Sequence, residues 1–123
     1  MATALTLLAG AELARGRSLA LEAAQADTGP GPRAVIIEGG PGTFQAPPGV
    51  ELVQLAAGCA CCVGQLPLRV TVARLLRLSR PARMWIEVAS AQHLPELRRQ
   101  LSGPAFGGHL ALEPDAGGDP SAP

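Results

Sequence analysis

Two stretches, Ala34-Val35-Ile36-Ile37 and Met84-Trp85-Ile86, are apolar at every position, and each is soon followed by an acid, Glu38 or Glu87. A strand with one wet face alternates apolar and polar residues, so a strand without alternation must be covered above and below. That requirement is met in a parallel sheet layered between helices. The two runs therefore predict central strands, with Glu38 and Glu87 near their C-terminal ends.

The rest of the chain fits around them. Thr3 to Leu8 reads as a first strand, followed by a loop and a helix over Ser18 to Ala26. The turn chemistry of Asp27-Thr28-Gly29-Pro30-Gly31-Pro32 ends that helix, because proline cannot continue it and glycine tolerates positive φ. Gly39 to Gly49, rich in Gly and Pro, reads as a mobile loop. Val50 to Leu55 alternates apolar and polar residues, as a half-exposed edge strand does. Leu68, Val72, Leu75, Leu76 and Leu78 recur near helical spacing, which predicts a helix ending before Pro81, with its arginines forming a solvated face. Leu94 to Leu101 predicts a short helix with Pro95 in its first turn, and His109 to Leu112 a last strand. Strands alternating with helices make a mostly parallel α/β sheet with right-handed crossovers, a three-layer sandwich, the economical topology. Ligands of such sheets sit at the C-terminal ends of the strands, where Gly10, Glu38 and Glu87 fall.

The length of 123 residues, with 47% hydrophobic composition, suits one domain, taken as residues 1–112, followed by a disordered tail over 113–123 of Gly, Pro and acid. Ten arginines balance ten acids and there is no lysine, so no basic field exists to recruit nucleic acid or an anionic membrane. The apolar start, Met1 to Ala9, has no basic flank and meets Glu12 too soon for a signal peptide. No apolar run is long enough for a membrane span. A soluble, cytoplasmic protein is expected.

All three cysteines lie in Gly58-Cys59-Ala60-Cys61-Cys62. Adjacent cysteines bridge poorly and the chain offers no distant partner, so a disulfide framework is not expected. Three thiolates in four positions suit a soft metal such as zinc, which can take three protein ligands and an exchangeable fourth. Glu38, His93 or an external ligand are candidates for that fourth place. Thiol redox chemistry and a merely apolar role for the cysteines are the alternatives.

The order Leu7-Leu8-Ala9-Gly10, Val35-Ile36-Ile37-Glu38-Gly39, Gly58-Cys59-Ala60-Cys61-Cys62 and Trp85-Ile86-Glu87-Val88-Ala89-Ser90 resembles the CobW-type P-loop GTPases, a family of metal-insertion and zinc-chaperone proteins. The resemblance covers about the first 112 residues and implies a P-loop NTPase-like half-domain. It also implies a metal site at Cys59, Cys61, Cys62 and Glu38, and a GTP/Mg²⁺ site at Gly10, Gly16, Arg17, Ser18 and Glu87. In the family, nucleotide state is thought to gate metal release to a client metalloprotein.

The chain departs from the family pattern at the nucleotide loop, Gly10-Ala11-Glu12-Leu13-Ala14-Arg15-Gly16-Arg17-Ser18. It is one residue too long between its outer glycines, places Glu12 where an anion would approach, and has Arg17 in place of the lysine that reaches the β and γ phosphates. Ser18 can still ligate Mg²⁺, and the helix N-terminus can still attract an anion. Asn is absent, so no Asn-Lys-x-Asp guanine-reading motif exists, and Ala91 replaces a glycine after Glu87-Val88-Ala89-Ser90. The expectation is a metal-binding, CobW-like protein with nucleotide hydrolysis weakened or lost and no assigned catalytic residue. The alternatives are a GTPase using Arg17 in the lysine role, and a non-catalytic module that pairs with itself or with a CobW-like homologue.

Overall fold

The structure, a computed structural model, describes residues 2–10, 13, 15–39, 43–55, 66–103 and 106–113. Cys59, Cys61, Cys62, Glu12 and residues 114–123 of the expected tail lie outside the described residues.

Among the described residues five strands, β1 (Thr3–Ala9), β2 (Arg33–Glu38), β3 (Val50–Leu55), β4 (Arg83–Val88) and β5 (Leu110–Leu112), form one sheet in the order β3-β2-β4-β1-β5. Every neighbouring pair is parallel. Helices α1 (Leu19–Ala26), α2 (Leu66–Leu78) and α3 (Leu94–Leu101) connect them. The architecture is the α/β three-layer sandwich that the unbroken apolar runs predict. β2 and β4 are paired side by side at its centre and buried on both faces. The alternating segment, β3, is an edge.

The direction of each step decides the layers. Connections from β1 to β2 and from β3 to β4 run opposite ways along the sheet, so right-handed crossovers put α1 on one face and α2 on the other. The pleat sorts the strand side chains accordingly. Leu5, Leu7, Ala34, Ile36, Met84, Ile86 and Val88 pack in one cluster with Leu68, Val72 and Leu75 of α2 and Leu94, Leu97 and Leu101 of α3. Leu8, Val35, Ile37 and Trp85 pack on the other face with Ala20, Leu21 and Ala24 of α1. The two alanines on the buried side of α1 leave no bulk to hold that helix away from the sheet. Truncating the fully buried Leu97 to Ala would cost about 3 kcal/mol, since the removed methyls leave a cavity that the layers cannot close.

Several turns are fixed by arginine. Arg33 donates from Nη1 to the carbonyls of Ala24 and of Asp27 (2.9 Å), and from Nη2 to that of Pro48 (3.0 Å), tying the end of α1 to the turn before β3. Arg83 pairs through Nε with Asp27 (2.7 Å) and donates to the carbonyls of Gly29 and Pro30, both at 2.9 Å. These bonds satisfy backbone carbonyls that the Gly-Pro turn leaves without ladder partners. Among the described residues, no helix is long and apolar enough to cross a membrane.

Candidate functional site

The chain leaves β1 toward the α1 face and leaves β4 toward the α3 face, and β1 and β4 are neighbours. Two adjacent strand ends whose continuations diverge open a crevice, the usual ligand position of a sheet of this kind. Gly10 follows β1 there, and Glu87 is the second-last residue of β4.

Glu87 is fully buried on the α1 face, an expensive position for a carboxylate unless it is hydrogen-bonded. Its Oε1 accepts from the Ser18 hydroxyl at 2.7 Å and from the Ala20 backbone N–H at 2.9 Å. Ser18 is also the N-cap of α1, its Oγ accepting from the Leu21 N–H at 3.1 Å. One hydroxyl thus closes the helix start and fastens it to β4. Ala20 N–H is one of the amides that a helix start leaves without an internal partner, and the partial positive charge there favours a carboxylate.

The second oxygen, Glu87 Oε2, is buried and has no hydrogen-bond partner among the described residues. It lies against Gly10: a Cβ built there would meet Oε2 at 2.0 Å and Glu87 Cδ at 3.1 Å. Only glycine permits that approach. An unsatisfied carboxylate oxygen at the crevice is the chemistry a hard cation with oxygen ligands would use, and Ser18 and Glu87 together fit that donor set.

Gly16 and Arg17 face elsewhere. Gly16 turns through a positive φ of 78°. Arg17 reaches forward onto Glu22 in the first turn of α1, its Nε and Nη2 donating at 3.0 and 3.1 Å in a solvent-exposed fork. The structure thus brings together Gly10, Ser18 and Glu87, with Gly16 and Arg17 outside that contact.

Glu38 belongs to a second locality. The pleat puts it on the α2 and α3 face, opposite to Glu87, because its register partner on β4 is Val88 while Ile37 pairs with Glu87. On the other side its partner is Leu55, the last described residue before the cysteine segment, and the Gly39 N–H donates to the Leu55 carbonyl at 3.0 Å. Glu38 is only 7% exposed, and burial pushes its carboxyl above the ordinary range, against a smaller pull downward from His93. His93, a candidate for the fourth ligand place, is half-buried at the N-cap of α3 and makes no side-chain capping bond there. Among the described residues, no three His, Cys, Asp or Glu side chains cluster as a metal site.

The family resemblance put Ser18 and Glu87 in one site, but their direct hydrogen bond and the part played by the Ala20 amide have no signal in the residues themselves. No local signal links positions 69 apart, and the bond exists because the crossover returns α1 over β4.

Over 65 residues the chain is 34% identical to the zinc chaperone YeiR of Escherichia coli (strain K12). The match covers 53% of this chain and 20% of that protein, so the chain spans about one fifth of the curated relative it matches. No known family profile matches the sequence, and no solved structure matches it.

Proposed function

We propose that the chain is a zinc-binding, CobW-like segment of metallochaperone type, in which nucleotide hydrolysis is weakened or lost. Zinc is cargo held by the thiolates of Cys59, Cys61 and Cys62, with Glu38 as the fourth ligand, for transfer to a client metalloprotein in the reducing cytoplasm. The observation that carries this reading is the position of Glu38. It is a buried carboxylate in register with Leu55, where the chain enters the cysteine segment, and it lies on the sheet face to which that segment returns as α2. The similarity to a protein named as a zinc chaperone supports the same reading. Burial raises the proton affinity of this carboxylate, so a cation bound there would compete with its proton. Weakened hydrolysis is supported by the missing loop lysine and by the engagement of Arg17 with Glu22.

Zinc titration of the reduced protein tests the reading. Tight 1:1 binding is expected, weakened at least tenfold by Cys61→Ser and less strongly by Glu38→Gln. Absence of stoichiometric binding to the reduced wild-type protein rejects it.

The orphaned oxygen of Glu87 favours a second reading, a nucleotide site that retains Mg²⁺. Ser18 and Glu87 would hold the ion beside the α1 N-terminus, and the ion would neutralise phosphate charge. Fluorescent guanine nucleotide binding that requires Mg²⁺ and disappears in Glu87→Gln would favour it. Among the described residues β3 and β5 are sheet edges, which supports a third reading, self-association or pairing with a homologue, tested by light scattering.

A further inference from the structure

The end of the sheet opposite the strand C-termini holds a cavity of about 770 Å³ between α2 and the segment that precedes β5. Leu76, Pro81, Phe106, Arg77, Arg80 and His109 are among the residues that line it. That volume is typical of a site for a small organic molecule. Among the described residues, no acidic side chain lines the cavity and no carboxylate pairs with Arg77 or Arg80. The lining thus combines apolar side chains with two arginines.

Arg80 carries a second, independent observation. It follows α2 at a φ of 45°, and the N–H groups of Ser79 and Arg80 both donate to the Leu75 carbonyl, at 2.9 and 3.0 Å. This left-handed residue after a helix is the position where glycine is ordinarily found, because a Cβ is crowded there. Arginine at such a position keeps a backbone strain that glycine would remove. Arg80 is also among the residues that line the cavity.

We infer that this cavity binds a small organic anion, its carboxylate, sulfonate or phosphate head held by Arg77 and Arg80 and its apolar body against Leu76, Pro81 and Phe106. Guanidinium forks match such oxyanions, and the apolar walls exclude bare inorganic ions as the best fit. The site is separate from Ser18, Glu87 and Glu38, which lie near the C-terminal ends of the strands.

Titration of the full chain with the aromatic sulfonate 8-anilinonaphthalene-1-sulfonate, under native conditions, tests the inference. A 1:1 saturable fluorescence increase is expected, weakened about tenfold by Arg77→Ala and by Arg80→Gly, and weakened by added salt. Arg80→Gly separates binding from folding, since it should raise the melting temperature while lowering affinity. Arg77 is exposed on α2, where alanine preserves the helix, and gives a second variant that folds. Absence of saturable binding, or equal affinity in wild type and both variants, would overturn the assignment.

Discussion

The Ser18 hydroxyl donates to Glu87 Oε1 at 2.7 Å, joining the start of α1 to the end of β4 across 69 positions of sequence. The same hydroxyl oxygen caps α1 through the Leu21 N–H. Ser18→Ala removes both bonds and leaves the buried carboxylate with the Ala20 amide alone, so a loss of about 2 kcal/mol is expected. Glu87→Gln keeps a carbonyl oxygen for Ser18 and Ala20 and should cost less than Ser18→Ala. Urea midpoints of the two variants check the order; the reverse order would mean that the charge, rather than the hydrogen bonds, anchors the helix.

Gly10→Ala puts a methyl where Glu87 Oε2 stands, at 2.0 Å in the unrelaxed structure. Either the carboxylate swings out, breaking its bonds to Ser18 and Ala20, or the β1 end shifts. A loss of about 2 kcal/mol or more is expected. Combining Gly10→Ala with Ser18→Ala should cost less than the sum of the two, because each disturbs the same carboxylate. Strict additivity in a double-mutant cycle would separate the two contacts.

Burial holds the Glu38 carboxyl above its ordinary value of 4.5, with the His93 charge opposing more weakly. The native state then keeps a proton that the unfolded chain gives up. In chelator-treated protein this contribution is fully present below about pH 4.5 and is lost as the pH rises through the folded value. Glu38→Gln should remove that part of the pH slope and unfold at higher urea than wild type at neutral pH. Parallel pH profiles for the two proteins would contradict the burial of this group.

Zinc linkage gives a prediction that does not need a spectroscopic probe. At free zinc a hundredfold above its Kd, the wild-type reduced protein should gain about 2.7 kcal/mol of stability, and Cys61→Ser should gain far less. Equal gains in both would place the ion away from the cysteines.

Arg33 joins the carbonyls of Ala24, Asp27 and Pro48 with one planar group. Lysine has the charge but cannot span three acceptors in that fork. Arg33→Lys should therefore recover little of the ~2 kcal/mol lost in Arg33→Ala, and recovery to wild-type stability would show that charge alone suffices.

The elements were legible because their causes are local. Unbroken apolar runs announce strands covered on both faces, as Val35 and Trp85 show. Leu68, Val72 and Leu75 announce a helix with one buried side, and Gly29-Pro30-Gly31-Pro32 announces a stop. The edge position of β3 follows from its alternation in the same way. Arg80 was less legible. It reads as one of several solvated arginines, and its left-handed backbone and place in the cavity lining have no signature in residue type.

Sequence alone thus determined the layer architecture, the identity of the central strands, and the presence of acids at their C-terminal ends, since all three follow from periodicity and composition over a few residues. Only the tertiary structure decided which of those residues meet. Strand order and pleat parity are global properties. They send Glu87 to the α1 face, against Gly10 and Ser18, and Glu38, one register step away on the neighbouring strand, to the opposite face beside Leu55. Two acids that look equivalent along the chain serve different localities, because side chains along a strand alternate between its faces.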